Sequence, residues 1–172
     1  MVRLDAKEDR LCELINGTLV EKTAGYEESA IMIELGGIIR AFVKKRRLGI
    51  VTGADGMMRL FEAQVRIPDV AFVSKARLPG GTVPEHPVPE LVPDLAVEIL
   101  SESNTRREMS DKLGEYFRAG VRLVWYVNPK TRTIDVFTGV EQKTTLTVTD
   151  TLSGGDVLPG LEVPVADVFN IQ

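Results

Sequence analysis

The stretch Pro93–Lys112, PDLAVEILSESNTRREMSDK, sets an apolar strand, a polar turn and the start of a helix in succession, with one carboxylate, Glu98, between Val97 and Ile99. Alternate residues of a strand share a face, so Leu95, Val97 and Ile99 point one way while Asp94, Ala96, Glu98 and Leu100 point the other. Apolar residues on both faces predict a strand covered on two sides. An ionised carboxylate there is costly unless it is paired, protonated or bound to a cation. Ser103, Asn104 and Thr105 are N-cap candidates for a helix that runs to about Ala119 and stops at Gly120. Met109, Leu113, Tyr116 and Phe117 form its apolar stripe, with Lys112 on the edge near Tyr116, from where it can lean toward Glu98. The commonplace alternatives are a salt bridge or solvated strand end for Glu98 and a lysine stem laid over the core for Lys112.

Outward from this stretch, LCELI and TLVEK flank Asn16-Gly17, a pair that tolerates positive φ and predicts a hairpin. From Tyr26 to about Arg47 the spacing of Ile31, Leu35, Ile38 and Phe42 predicts an amphipathic helix that Gly49 stops. Short β-like runs follow at Ile50–Thr52, Met57–Phe61 and Val70–Val73. Leu78 to Pro93 holds five of the nine prolines, together with His86, and reads as an extended surface loop. VRLVWYV and RTIDVFT are two further strands, and LTVTDTL and the closing segment add a short strand and irregular chain. Strands on both sides of one crossover helix predict an α/β (α+β) architecture: a mixed central β-sheet flanked by helices, with an N-terminal β-hairpin, in a single domain over residues 1–172.

The composition narrows the function classes. A net charge of −4 argues against tight nonspecific binding of polyanions, so any such contact has to be local. The single cysteine, Cys12, forms no intramolecular disulfide, and with His86 as the single histidine no zinc cluster assembles. No apolar run approaches the roughly 20 residues of a membrane helix. The expectation is a cytoplasmic protein without a membrane partner.

A second strand-borne carboxylate gives Glu98 a partner. RIPDVAFV presents Asp69 directly after Pro68 and before an apolar strand, and two such carboxylates can share one magnesium ion, which takes oxygen ligands and keeps several waters. Turn capping is the alternative for Asp69. Asp94 also follows a proline, but its place at the mouth of the strand suits a turn residue. Glu27 and Glu28 occupy the first turn of the long helix, where acids complement its dipole. Ser101, Glu102 and Asn104 suit capping, and Arg106 and Arg107 are either solvated helix surface or phosphate contacts.

These residues resemble the Uma2-type restriction endonucleases, a branch of the PD-(D/E)xK nuclease superfamily. The resemblance covers most of the chain. It rests on CELINGTLVE, the helix after AGYEES, RIPDVAFVS, the block PDLAVEILSESNTRREMSDKLGEYFRAGVRLVWYVNP, and DVLPGLEVPVADVF. It implies a restriction-endonuclease-like core with Asp69 and Glu98 as acidic ligands of Mg2+ or Mn2+. It also implies DNA as substrate and a homodimer. Leu100 stands where the superfamily pattern has its lysine, and Lys112 on the next helix supplies the ammonium instead. Many members carry a histidine where this chain has Glu28, so Glu28 is either an added metal ligand or a loss of function. The resulting expectation is a metal-dependent endonuclease. Asp69, Glu98 and the Ile99 backbone carbonyl hold the ion, Lys112 orients the attacking water, and Tyr116 supports Lys112. The alternative is a non-catalytic nucleic-acid-binding or scaffold protein that keeps the fold.

Overall fold

Asn16 and Gly17 take φ of 49° and 79° and close the hairpin between β1 (Cys12–Ile15) and β2 (Thr18–Glu21), as an Asn-Gly turn requires. The computed structural model describes residues 11–22 and 25–171. Helix α1 (Tyr26–Arg46) follows, then β3 (Gly49–Thr52), β4 (Met58–Phe61), β5 (Gln64–Arg66), β6 (Val70–Ser74) and β7 (Leu95–Ile99). The chain continues through α2 (Arg106–Ala119), β8 (Leu123–Asn128), β9 (Thr133–Gly139), β10 (Gln142–Leu146), β11 (Thr151–Ser153), β12 (Glu162–Pro164) and the single turn α3 (Val165–Val168).

Six strands form the central sheet in the order β10-β9-β8-β7-β6-β3. Strands β7 and β8 run parallel because α2 carries the chain across between them, and the other neighbours are antiparallel. The sheet is therefore mixed, as expected. One face packs on α1 through Ile31, Leu35, Ile39 and Val43, which meet Val70, Phe72, Leu95, Val97 and Trp125. The other face packs on α2, with Met109, Leu113 and Tyr116 against Ala71, Val73, Ala96 and Val124. Glu98 lies on this second face, in line with Ala96. A smaller antiparallel sheet, β2-β1-β5-β4, adds Met58 and Leu60 to the α2 side.

Thr105 caps α2 in a reciprocal box with Glu108, and Gly120 ends it at φ 99°. This fixes the helix that carries Lys112 at both ends. Helix α1 differs from the expectation in two details. Its buried ridge is Ile31, Leu35, Ile39 and Val43, steps of four that run along one side, and Ile38 and Phe42 flank it half-buried. It also ends before Gly49, with Arg47 in the left-handed region at φ 54°. Gly49 belongs to β3, where a β-carbon would collide with the Val73 carbonyl of the neighbouring strand. Strand β5 is three residues long and leaves almost no periodic signal, which is why it went unanticipated. The tail contains β10 and the β11–β12 pair rather than one short strand. Among the described residues no helix is long and apolar enough to cross a membrane.

Candidate active site

The antiparallel register that pairs Val70 with Val97 places Asp69, one residue before β6, opposite Glu98. Pro68 offers no backbone donor, so the chain leaves the ladder there. The Asp69 carboxylate turns back onto the sheet, and its Oδ2 accepts the Ile99 N–H at 2.7 Å. Its Oδ1 lies 2.7 Å from the Lys22 ammonium, which follows β2 and also donates to the Ile67 carbonyl at 2.5 Å. The two sequence-predicted carboxylates thus come together at one end of the adjacent strands β6 and β7.

Glu98 is 4% exposed and meets α2 through both oxygens. Lys112 Nζ is 3.2 Å from Oε2, and the Tyr116 hydroxyl donates to Oε1 at 2.5 Å. Lys112 and Tyr116 lie one helical turn apart, so a single face of α2 presents both donors. Leu100 stands two residues beyond Glu98, and the ammonium that reaches the Glu98 carboxylate comes from Lys112 on the helix.

Three residues not anticipated from the sequence complete the cluster. Glu13 of β1 shares the Lys112 ammonium, with Oε2 at 3.3 Å, and accepts the Ile67 N–H at 2.9 Å. Arg66 of β5, 2% exposed, donates to Glu13 at 2.8 Å through Nη1 and to Glu115 of α2 at 2.7 Å through Nε. The available signal was opposite charge at inward positions of two short apolar strands, with Arg66 three residues before the PD aspartate. Lys22, the fourth residue missed, ends the alternating run TLVEK.

Four carboxylates, those of Glu13, Asp69, Glu98 and Glu115, face three cations, Lys22, Arg66 and Lys112. Burial pushes the Glu98 carboxyl above its ordinary pKa against the pull of Lys112, and the charges on Asp69 and Glu13 push it further. Burial also raises the Tyr116 hydroxyl well above its usual range, with Glu98 adding to it, so Tyr116 remains a donor. Lys112 moves up: burial opposes its charge, but Glu98 and Glu13 together outweigh that cost. Burial opposes ionisation of Glu13 too, yet Lys112 and Arg66 bring its carboxyl below the ordinary value.

Asp69, Glu98, Ile99, Lys22, Lys112 and Glu28 all border one cleft of about 310 Å3. Among the described residues no three His, Cys, Asp or Glu side chains come together as a metal cage. A magnesium or manganese ion needs less: two facing carboxylates, a carbonyl and its own waters suffice. The donor set fits such an ion, because the carboxylates are hard oxygen ligands and the cluster carries one uncompensated negative charge when every group is ionised.

The other candidates fall around this centre. Asp94 sits at the opposite end of β7, where it accepts the Ser74 N–H at 2.8 Å and pairs with Arg77 at 3.1 Å, a turn bracket as expected. The Glu28 carboxylate borders the cleft but folds back over Gly25 at the start of α1, so that a β-carbon at Gly25 would collide with it. It stands in the first turn of α1, where an acid complements the helix dipole. Arg106 borders an adjoining groove that shares Glu28, Ser101 and Asn104 with this cleft, and Arg107 projects into solvent with only a 3.8 Å approach to Asp111. Ser101 donates its N–H to Asn104, a local turn beside the cleft. His86 is exposed in the proline-rich loop, where its Nδ1 accepts the Val88 N–H.

The sequence model of the family Uma2, described as "Putative restriction endonuclease", matches residues 1–166. Among solved structures, the chain is similar to the crystal structure of a "putative nuclease belonging to DUF820" from Anabaena variabilis ATCC 29413, with a TM-score of 0.84. The identity is 19%, and the match covers 95% of this chain and 92% of the other, so the likeness is one of fold. No curated protein matches the chain.

Proposed function

This chain belongs to the Uma2 family, and from that premise we propose that it is a metal-dependent endonuclease that hydrolyses DNA phosphodiester bonds within one PD-(D/E)xK nuclease-like domain. The observation that carries the reading is the opposition of Asp69 and Glu98 across adjacent strands, with the Lys112 ammonium 3.2 Å from Glu98. Asp69, Glu98 and the Ile99 carbonyl would hold Mg2+ or Mn2+. When bound, the ion supplies Lewis acidity at the phosphate and lowers the pKa of a coordinated water.

The remaining steps belong to the protein. The Ile99 N–H fixes one oxygen of Asp69 and leaves the other turned to the cleft. Tyr116 holds Glu98 in place. Lys112 orients the attacking water and stabilises the charge that develops on the phosphoryl oxygens. Its elevated pKa keeps it an ammonium at neutral pH, which suits an electrostatic role rather than that of a base. Arg106 and Arg107 at the start of α2 supply contacts to the DNA backbone, and a cytoplasmic homodimer fits a duplex substrate.

The Lys22–Asp69 ion pair favours a second reading, a non-catalytic nucleic-acid-binding or scaffold protein in which the cation position is permanently filled by lysine. Nicking of supercoiled plasmid in magnesium separates the two. The wild-type protein should convert the plasmid to open circles, whereas Asp69→Asn and Lys112→Ala should not. Equal background from all three proteins would overturn the nuclease reading.

A further inference from the structure

We propose that Lys22 is a tethered counter-ion of the metal site: its ammonium occupies the cation position at Asp69, a divalent ion must displace it to bind, and it thereby sets the metal affinity. This rests on the reading of Asp69 and Glu98 as metal ligands.

The geometry makes the competition direct. Oδ2 of Asp69 is committed to the Ile99 N–H at 2.7 Å, so Oδ1 is the oxygen left for a cation, and Lys22 Nζ lies 2.7 Å from it. The second contact of Nζ is the Ile67 carbonyl, so the ammonium is held by oxygens of the kind a hard cation takes. The Lys22 and Asp69 side chains are only 11% and 15% exposed, which shields the pair from screening by solvent. Lys22 also stands close enough to Glu98 to draw its carboxyl pKa down, though less than Lys112 does.

The two lysines of the cleft are not equivalent. Lys112 bridges Glu98 and Glu13 from inside the core, at 6% exposure, and makes no ion pair with Asp69. Lys22 reaches in from the rim of the small sheet, where its own N–H is tied to the Leu11 carbonyl at 2.8 Å. That anchor lets the four-carbon stem swing out of the cleft while the hairpin stays docked. A site blocked by its own side chain binds a ligand with an affinity reduced by the unblocked fraction. A hydrogen-bonded ion pair of this kind accounts for about a tenfold reduction. An ordinary structural salt bridge predicts something else: loss of Lys22 would alter the melting temperature and leave metal affinity unchanged.

The test is calorimetric titration of the metal-free full chain with Mn2+, comparing wild type, Lys22→Met and Lys22→Arg, with Asp69→Asn as the control for the site. Lys22→Met should bind about tenfold more tightly than wild type, Lys22→Arg should not gain, and Asp69→Asn should lose binding. Equal affinity in wild type and Lys22→Met overturns the counter-ion proposal and leaves the metal site standing. Absence of binding in both overturns the metal site as well. Binding by Lys22→Met alone supports both. Should Lys22→Met fail to fold, acylation of Lys22 in the wild-type protein, followed by mass spectrometry of the peptide, gives the same answer. Saturating Mn2+ should accelerate labelling of Lys22, and an unchanged rate overturns the displacement.

Discussion

Replacing Lys112 with methionine should destabilise the metal-free protein more at pH 8 than at pH 5. Methionine keeps much of the buried stem that extends from α2 and removes the charge that lies 3.2 Å from Glu98 and 3.3 Å from Glu13. Removing one partner of a buried ion pair costs about 3–5 kcal/mol. The lower end applies here, because Glu13 retains Arg66 and the Ile67 N–H, and Glu98 can escape by taking up a proton. A loss of about 3 kcal/mol lowers the melting temperature of a chain this size by roughly 6–12 °C. The sign with pH follows from the direction of the Glu98 shift. A carboxyl whose folded pKa exceeds the ordinary 4.5 contributes stability that is complete below that value and lost as pH rises through the folded pKa. Without Lys112 that folded pKa climbs further, so the deficit widens from pH 5 to pH 8. In a double-mutant cycle with Glu98→Gln, the two changes should be less harmful together than their sum by about 1–3 kcal/mol. Urea unfolding followed by circular dichroism in the presence of a chelator measures both quantities. A deficit that is independent of pH, or additivity within about 0.5 kcal/mol, would refute the coupling.

Two further outcomes test the support behind the site. Arg66→Met should cost about 3–5 kcal/mol, because Glu115 is left buried without its guanidinium. The pair Arg66→Met with Glu115→Leu should recover most of that loss in thermal melts, and a single variant as stable as wild type would contradict the bracket. Glu13 has a depressed pKa, so it contributes stability that is present above the ordinary 4.5 and lost as pH falls through its folded value. Glu13→Gln should therefore be least stable relative to wild type at neutral pH and converge with it as pH falls through the folded value, as read from urea midpoints. Parallel curves would show that the carboxylate charge plays no part.

Local chemistry made part of this molecule legible in its sequence. The Asn16-Gly17 turn, a cap for α2 among Ser103, Asn104 and Thr105, and the Gly120 stop are each dictated by residues within a few positions of one another, and Thr105 proves to be the cap, with Glu108 completing a box not anticipated from the sequence. The Glu98–Lys112 pairing was legible for a related reason, since strand alternation and helical spacing together fix the facing sides of two consecutive elements. The Glu13–Arg66–Glu115 chain was not legible. Its members lie 53 and 49 residues apart on strands of four and three residues and on a helix. Nothing local specifies that the hairpin folds over α2 rather than elsewhere on the sheet. The exact ridge of α1 was blurred for a different reason: Ile38, Ile39, Phe42 and Val43 are all apolar, and only contact with a particular sheet face selects Ile39 and Val43.

The position of the ammonium on α2 depends on that hidden network. Strand β7 ends at Ile99, and Leu100, two residues beyond Glu98, is tied on one side, by its N–H to the Val127 carbonyl of β8. A lysine on α2 is positioned only as well as the helix is, and two tyrosine hydroxyls tie that helix to the sheet: Tyr116 donates to Glu98 of β7, and Tyr126 of β8 donates to the Met109 carbonyl. Arg66 adds a further hold by linking Glu115, on the turn of α2 after Lys112, to Glu13, which also takes the Lys112 ammonium. Glu13 in turn is tied to the Ile67 N–H, two residues before Asp69. One continuous set of charged hydrogen bonds thus runs from the helix to the strand approaching the other carboxylate. The ammonium is thus held by a tertiary constraint, to which the small sheet contributes Glu13 and Arg66.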